Sequence, residues 1–496
     1  MFIYAGAKIL ARMSRTKFRS WETRAVELQH KVLNQLIKTG RETAFGKEHS
    51  FDDIQNYETF KEHVPIVDYE KTNPWIERIK EGEKNVLWPG RPIYFAKTSG
   101  TTSGAKYIPI TRDSLPNHID SARNALLMYI LKTGNTRFIG GKYIFLSGSP
   151  RMANINGIPT GRLSGIVHNH IPFYLQKKRL PSYKINCIED WEIKLSAIID
   201  ETLPLDMSLI SGIPSWVEMY FEHLLSRTGK NNILEIFPRF SLLVHGGISF
   251  NNYSDKLFRI IGREIDALET FPASEGFFAF QDEFPSKGLL LIPDSGIFFE
   301  FIPADRYFDY NPPRLSLGDV KTGVNYALIL SSNAGLWGYS IGDTVKFTSI
   351  NPYRLEVTGR LNQFTSAFGE HVIGEEVENA IGHAMKHTGA VVREFTLAPL
   401  IENPDGLPCH QWFVEFKKKP ENLEEFAGKI DEAMQAQNIY YADLIKAKVL
   451  QPTIVIPVPD NTFNNYMKAH GKLGGQNKIP HLSNDRKIAD WIIKHL

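Results

Sequence analysis

Cysteine and long apolar runs are scarce in this chain. Only Cys187 and Cys409 occur among its 496 residues, and they are not spaced as ligands of a metal site or as a redox pair. This scarcity argues against a disulfide framework and favours a reducing, cytoplasmic compartment. No run approaches the roughly 18 apolar residues of a membrane-spanning helix, so no membrane partner is expected.

An excess of charge of one sign is lacking as well. The chain has 57 Lys and Arg residues against 55 Asp and Glu residues, a net charge of +2, and no Lys/Arg run forms a basic stripe. A nucleic-acid partner is therefore not expected; the expected partners are small molecules, and the chain is expected to be a monomer or dimer. The apolar residues 1–12 are interrupted by Lys8 and Arg12 and lack a cleavage site, which predicts an amphipathic helix, not a signal peptide.

The first half of the chain alternates between helix-like and strand-like segments. Its length exceeds that of a single core, and the alternation predicts a large α/β domain with a largely parallel sheet. Apolar residues recur at helical spacing over 19–46, which predicts an N-terminal helix. A helix with Pro116 in its first turn should run to Lys132 and stop before Gly134. Further helices are predicted at 189–202 and 214–227, and buried strands at 141–148 and 241–247.

The pattern changes twice further along the chain. Strands without helices over 288–358 predict a small antiparallel sheet or barrel appended to the α/β core. We therefore expect an N-terminal domain over 1–358, a small α+β domain over 359–496, and a hinge in 359–369. The C-terminal domain is predicted to contain helices at 374–387 and 421–437 and strands at 392–399, 410–417 and 446–457.

A short loop rich in glycine and hydroxyl groups, Thr98–Lys106, lies between two strand-like runs. Amides freed by glycine, hydroxyl donors and a lysine suit a polyanion such as triphosphate. Three residues separate Gly100 from Gly104, and Ala105 precedes Lys106, so the spacing is not that of a P-loop. A P-loop also opens a helix, whereas a strand is predicted after Lys106. The loop predicts a nucleotide site, with a plain surface hairpin as the alternative.

Three further segments contain candidate functional residues. They are Thr270–Gly276 with Glu275, Tyr339–Asp343, and the glycine-rich Gly474–Pro480 with Lys478. Each alone has a structural interpretation, because Ser-Glu often starts a helix and Gly-Asp often forms a turn. Their order carries more information. The sequence resembles the acyl acid–amido synthetases of the Gretchen Hagen 3 (auxin-responsive promoter) family, in the firefly-luciferase-like superfamily of adenylate-forming enzymes. The resemblance covers nearly the whole chain and rests on Thr98–Lys106, Phe271–Glu275 and Gly335–Asp343.

The resemblance implies a ligase that uses ATP and Mg²⁺. Such an enzyme adenylates a carboxylic acid and then transfers the acyl group to an amine, here an amino acid. It implies a magnesium role for Glu275, for which a helix-capping carboxylate is the alternative. Lys106 and Lys478 are the predicted catalytic lysines, with Lys472 as the alternative to Lys478. The residues expected to bind ATP are Ser99, Gly100, Thr101, Thr102, Ser103, Gly104, Thr270, Phe271, Ser274 and Asp343.

The same resemblance suggests an acid pocket formed by Leu127, Trp216, His245 and Gly247, although core packing is an equally good interpretation of the apolar members. The family often has arginine where this chain has Gly338 and Ser340. These departures leave open a non-catalytic nucleotide-binding homologue. A thioester (acyl-CoA) ligase of the same superfamily also stays open, because acceptors bind at domain interfaces shaped by loops. The sequence does not identify the acid.

Overall fold

The computed structural model describes residues 2–99, 105–170, 176–188, 190–247, 250–361, 364–365, 372–401, 403–404, 406–471, 478–483 and 485–496. They form two compact units. The first comprises Met1–Pro303, Asn311–Ile341 and Lys346–Glu356, and the second comprises Ala304–Tyr310, Gly342–Val345 and Val357–Leu496.

Helices open the first unit. The predicted amphipathic helix is confirmed as α1, while the single helix predicted over 19–46 is divided, because Arg24 leaves helical geometry at φ −133° and ψ 24°. The helices up to residue 261 are α1 (Phe2–Met13), α2 (Arg15–Thr23), α3 (Ala25–Gly40), α4 (Ala44–Glu48), α5 (Tyr57–His63), α6 (Tyr69–Lys80), α7 (Leu115–Thr133), α8 (Leu163–Asn169), α9 (Tyr183–Asn186), α10 (Trp191–Thr202), α11 (Pro214–Thr228) and α12 (Asn251–Ile261).

The strands up to residue 360 fall into two sheets. A four-stranded sheet has the order β2-β1-β5-β4, and an eleven-stranded sheet has the order β12-β13-β14-β15-β11-β10-β9-β8-β7-β3-β6. These strands are β1 (Tyr94–Ser99), β2 (Ala105–Ile110), β3 (Lys142–Phe145), β4 (Ala153–Ile155), β5 (Ile158–Gly161), β6 (Arg179–Leu180), β7 (Met207–Ser211), β8 (Leu242–Gly246), β9 (Asp266–Ala273), β10 (Gly276–Gln281), β11 (Leu289–Leu291), β12 (Ile297–Pro303), β13 (Asn325–Ser332), β14 (Tyr339–Ile350) and β15 (Tyr353–Arg360).

The large sheet joins a parallel half to an antiparallel half. Strands β6, β3, β7, β8 and β9 pair in parallel, as predicted, and the β9–β10 hairpin then reverses the direction. The strands expected over 288–358 exist, but they do not form a separate sheet or barrel. Strand β11 pairs antiparallel with both β10 and β15, so the β-rich segment continues the sheet of the α/β core. Sequence periodicity could not reveal this, because strand partners are non-local.

Helices pack against the parallel half, as its apolar strands require. Helix α7 begins and ends where predicted, with Pro116 in its first turn and Gly134 in left-handed geometry (φ 70°) after its last turn. The predicted helices α10 and α11 are also confirmed. One core cluster lies among β3, β7, β8, α10, α11 and α12, and includes Ile144, Ile198, Ile210, Tyr220, Phe221 and Leu243.

The second unit contains the small α+β domain. Strands β18 and β19 pair antiparallel and β20 joins β19 in parallel. Both predicted helices are confirmed, whereas three further helices, α15, α16 and α17, were not predicted. The elements are β16 (Phe364–Thr365), β17 (Val372–Ile373), α13 (Gly374–Thr388), β18 (Val391–Leu400), β19 (Cys409–Lys418), α14 (Leu423–Gln437), α15 (Ile439–Lys446), β20 (Ile454–Val458), α16 (Thr462–Ala469) and α17 (Lys487–Lys494). Across the described residues, no helix is both long and apolar enough to cross a bilayer.

Candidate active site

The glycine- and hydroxyl-rich loop connects two paired strands. β1 and β2 are antiparallel, and their last register pair is Ser99 with Ala105. The strand predicted after the loop is therefore confirmed, and the helix that a P-loop would require is absent at this position. Gly100, Thr101, Thr102, Ser103 and Gly104 lie outside the described residues, as does the side chain of Ser99. Their phosphate role stays a prediction.

Lys106 lies at the start of β2. Its Nζ is 5.5 Å from the centroid of the Tyr69 ring, a cation–π arrangement with a side chain of α6. The Tyr69 hydroxyl oxygen accepts a hydrogen bond from the Tyr107 amide at 2.9 Å. These contacts hold the strand end that follows the loop, and the catalytic role of Lys106 stays a prediction.

The carboxyl ends of β8 and β9 lie side by side at one edge of the parallel half, the position where open α/β sheets bind ligands. Thr270 pairs with Gly246, and its hydroxyl donates to the His245 carbonyl at 2.9 Å. A Cβ atom on Gly246 would lie 2.3 Å from the Thr270 carbonyl oxygen, so only glycine fits here. Two predicted site residues, Thr270 and His245, are thus brought together.

His245 is 3% exposed, and its ring stacks on that of Phe250 with centroids 4.1 Å apart. Burial lowers its pKa to about 3, so the imidazole is neutral at physiological pH. Its Nδ1 has no hydrogen-bond partner in the described structure. Gly247, another predicted pocket residue, directly follows β8. Its φ of 83° turns the chain away from the strand.

Glu275 and Ser274 form the two-residue turn between β9 and β10. The alternative interpretation of Glu275, a carboxylate that caps a helix, is wrong, because a strand follows the turn. Both residues are partly exposed. The turn extends beyond the carboxyl end of β9, so it presents a carboxylate at the same edge as Thr270.

A buried amide that no sequence motif indicated holds the start of β10. Asn117, on α7 and 6% exposed, accepts a hydrogen bond from the Phe277 amide at 2.7 Å and donates to the Phe277 carbonyl at 3.1 Å. The strand partner of Phe277 is Pro272, which has no N–H, and the register shifts just after this pair. The side-chain amide of Asn117 therefore makes the hydrogen bonds to Phe277 that a neighbouring strand would otherwise make. Phe277 is two residues after Glu275.

Phe271 is a core residue. Its ring is 6% exposed and meets Phe278 edge to face, with centroids 5.1 Å apart. Because neighbouring residues of a strand point to opposite faces, Phe271 and Thr270 face different sides of the sheet. The predicted contact between the Phe271 ring and adenine stays untested.

Glu269 is a second residue near the site that no sequence motif indicated. Burial, and then the charge of Glu356, raise its pKa to about 7. Its register partner is His245, so the two side chains lie on the same face of the sheet. A carboxyl that is partly protonated near neutrality thus lies beside a neutral imidazole.

The remaining pocket candidates pack in the core. Trp216, in the first turns of α11, is 7% exposed within the cluster around Tyr220 and Phe221. Leu127, on α7, packs partly buried against a cluster that includes Met128 and Leu268. The structure thus supports the core-packing interpretation of both side chains, while their contact with an acid stays a prediction.

Gly338 and Ser340 now have a structural explanation. Gly338 has φ 53°, and a Cβ atom there would lie 2.3 Å from the Pro65 carbonyl oxygen. The backbone of this segment exchanges hydrogen bonds with Val67, whose amide donates to Gly338 and whose carbonyl accepts from Ser340. Ser340 is 7% exposed. A close backbone approach therefore occupies the space that an arginine at position 338 would need.

Asp343 and Lys478 belong to the second unit. Asp343 is buried within β14, and Lys478 is exposed. Lys472 lies outside the described residues, as do most residues of the expected hinge.

The chain after Lys478 is fixed to the small domain. The Thr396 hydroxyl donates to the Pro480 carbonyl at 2.6 Å, and the Leu397 amide donates to the His481 carbonyl at 2.8 Å. The His481 ring pairs with Glu378 through Nδ1 and with Glu394 through Nε2. Burial would lower the pKa of His481, but the two carboxylates outweigh it and raise the pKa to about 10.

The fold is that of the adenylate-forming ligases. An acyl acid amido synthetase, AtGH3.15 in complex with 2,4-DB, matches with a TM-score of 0.80 at 16% identity, over 98% of this chain and 96% of that one. A 2-hydroxyisobutyryl-CoA ligase in its postadenylation state matches with a TM-score of 0.60 at 12% identity, over 94% and 91%.

The sequence assigns the family. The N-terminal, central and C-terminal domains of the GH3 family match residues 14–182, 290–360 and 375–487. The chain belongs to the GH3 family, and the resemblance read from its motifs is confirmed. Indole-3-acetic acid-amido synthetase GH3.3 of Arabidopsis thaliana is 22% identical over 92% of this chain and 89% of that protein. Jasmonoyl–L-amino acid synthetase JAR4 of Nicotiana attenuata is 20% identical over 65% and 66%.

Proposed function

We propose that this protein adenylates a carboxylic acid with ATP and transfers the acyl group to an amino acid, forming an amide. The observation that carries the proposal is the match to all three domains of the family, with relatives that are amido synthetases. The proposed partners are therefore small molecules, with no nucleic acid, and the proposed compartment is the cytoplasm. Both cysteines are free and buried, which agrees with a reducing environment.

The first step must bring a carboxylate to a triphosphate. Two unit charges 4 Å apart repel by about 4 kcal/mol at an effective dielectric of about 20, so donors and cations must face the phosphates. Ser99 to Gly104 would supply hydroxyl and amide donors from a loop whose two ends are fixed by the β1–β2 pairing. Lys106 would add a positive charge. Asp343 would accept hydrogen bonds from the ribose, with Thr270, Phe271 and Ser274 near the adenine.

Glu275 would hold the magnesium ion. Mg²⁺ is commonly bound by one or two protein carboxylates together with phosphate oxygens. Glu275, a single glutamate on a partly exposed turn, would be the protein ligand of an ion whose other ligands include phosphate oxygens of the nucleotide. The described residues contain no cluster of three or more His, Cys, Asp or Glu side chains that could enclose a metal, which agrees with such sharing. When bound, the ion would neutralise phosphate charge.

The acid would bind at the carboxyl edge of β8, near His245 and Gly247, and Leu127 and Trp216 are the other predicted pocket residues. A neutral His245 suits this role, because it offers a polar ring atom without a charge that the acid would have to compensate. Lys478 would act in the adenylation step and withdraw before the amine attacks. The described carbonyl contacts of Pro480 and His481 give the residues after this lysine a defined conformation.

The test is exchange of labelled pyrophosphate into ATP, screened across carboxylic acids, followed by detection of the amide product. Glu275→Gln should abolish acid-dependent exchange, since the amide keeps the size and loses the charge. Glu264→Gln, on an exposed residue, is the matched control. Exchange by Glu275→Gln at the wild-type rate in saturating magnesium would remove the metal role of Glu275. No exchange with any acid would contradict the function, and a thioester product would favour the CoA ligase.

A further inference from the structure

Helix α1 presents an apolar face that no described part of the chain covers. One side of the helix packs against α7, with Ala11 only 1% exposed. Four other apolar residues point outward: Ile3 is 66% exposed, Ile9 55%, Leu10 56% and Met13 73%. Spacings of seven (Ile3 to Leu10), four (Ile9 to Met13) and three (Leu10 to Met13) residues link these side chains along one face of the helix.

Positive charge flanks this face. Residues 1–21 contain no Asp or Glu and five basic residues, whereas the whole chain has a net charge of only +2. None of the five makes an ion pair within the part of the chain that the structure describes, while the next basic side chains, Arg24 and Lys31, both pair with Glu27. The five are all exposed: Lys8, Arg12, Arg15, Lys17 and Arg19.

Apolar side chains near cations that make no ion pair within the described residues match the surface of a bilayer that contains anionic lipids. A helix of 12 residues is about 18 Å long at 1.5 Å per residue, too short for the roughly 30 Å hydrocarbon core. It would therefore lie at the interface, as basic amphipathic helices do. A second copy of the chain fits less well, because docking α1 on α1 would bring the same cations together.

We propose that α1 docks the protein on anionic lipid bilayers, with Ile3, Ile9, Leu10 and Met13 inserted among the headgroups and the basic residues beside them. The lack of a membrane-spanning run predicted no membrane partner, but a helix that lies at the interface needs no such run. This inference does not depend on the proposed ligase activity.

Vesicle co-sedimentation of the full chain tests the proposal. The protein should sediment with vesicles of phosphatidylcholine and phosphatidylglycerol, far less with phosphatidylcholine alone, and progressively less as NaCl screens the charges. Ile9→Ser/Leu10→Ser should weaken the partition coefficient at least about tenfold, since both side chains lose their burial in the interface. Ile350→Ser/Ile401→Ser, which changes two other exposed isoleucines, is the matched control and should bind as the wild type does.

Charge reversal separates the electrostatic contribution. Each basic residue near an anionic leaflet strengthens binding about fivefold, so Arg12→Glu/Arg15→Glu should lose more than about 25-fold. The same reversal at the exposed Lys418 and Lys419 should change little.

Absence of co-sedimentation with anionic vesicles at low salt would overturn the proposal, as would equal binding by the α1 variants and their controls. Light scattering, which reports the oligomeric state, tests whether a second copy of the chain binds this face. A wild-type dimer that Ile9→Ser/Leu10→Ser converts to a monomer would show that the face binds a second copy of the chain instead.

Discussion

Replacing Asn117 with alanine should destabilise the first unit and loosen the turn that carries Glu275. The wild-type amide makes two hydrogen bonds to the backbone of Phe277, at 2.7 Å and 3.1 Å, in a buried site. Pro272, on the neighbouring strand, cannot replace the lost donor. Each buried group left without a partner costs about 1–3 kcal/mol, so the two together predict a loss of about 2–6 kcal/mol.

Urea unfolding monitored by tryptophan fluorescence would measure this loss. Asn117→Asp retains the acceptor for the Phe277 amide but loses the donor and buries a carboxylate, so it should also destabilise the unit at neutral pH. Asn464→Ala, at an exposed asparagine, is the matched control and should have little effect. An unfolding midpoint of Asn117→Ala equal to that of the wild type would refute the idea that this amide replaces a strand neighbour.

The folded Asn117→Ala variant should also need more magnesium for half-maximal pyrophosphate exchange. The bond to Phe277 lies only two residues from Glu275, so its loss allows the turn to move. A variant that is destabilised yet keeps its magnesium dependence would show that the amide supports the fold and not the proposed metal site.

Three other predictions concern single residues. Asp343→Ala should weaken ATP binding by about 1.5–3 kcal/mol through loss of a charged acceptor; calorimetry that shows unchanged affinity would remove Asp343 from the site. Gly338→Arg should cost at least about 2 kcal/mol in urea unfolding, because its left-handed geometry penalises a Cβ and a carbonyl blocks the side chain; wild-type stability would contradict this. Because Glu378 and Glu394 raise the pKa of His481 to about 10, its contribution to stability is complete below its unfolded pKa near 6.5 and is lost as pH rises through about 10. His481→Gln should therefore show a smaller loss of unfolding free energy over this range, and identical pH profiles would argue against the ion pairs.

The elements that the sequence predicted well are those with local signals. Pro116 and Gly134 bound α7 because proline fits a first helical turn and glycine tolerates a left-handed end. The strands on both sides of the glycine-rich loop were also predicted, since their apolar runs are short and bounded by loop residues. Family motifs located the candidate site for the same reason, as each is a contiguous segment.

The features that the sequence could not provide depend on distant partners. Asn117 contacts Phe277 across 160 residues, and no pattern in either segment indicates this bond. The turn at Glu275 was open to a helical interpretation until the pairing of β9 with β10 was known. From the sequence, Gly338 was notable only because the family often has arginine at this position. Neither its positive φ nor the nearby carbonyl of Pro65 is visible in the sequence.

The position of β11 in the large sheet has a consequence for how the chain can be divided. The central family domain begins at residue 290, inside β11, and this strand lies between β10 and β15 and pairs with both. Cutting the chain before this segment would leave the apolar β10 as an open sheet edge, which invites aggregation. Residues 290–360 thus match a single family domain but do not fold as a separate unit. Fragments that end near residue 288 should be recovered as insoluble protein.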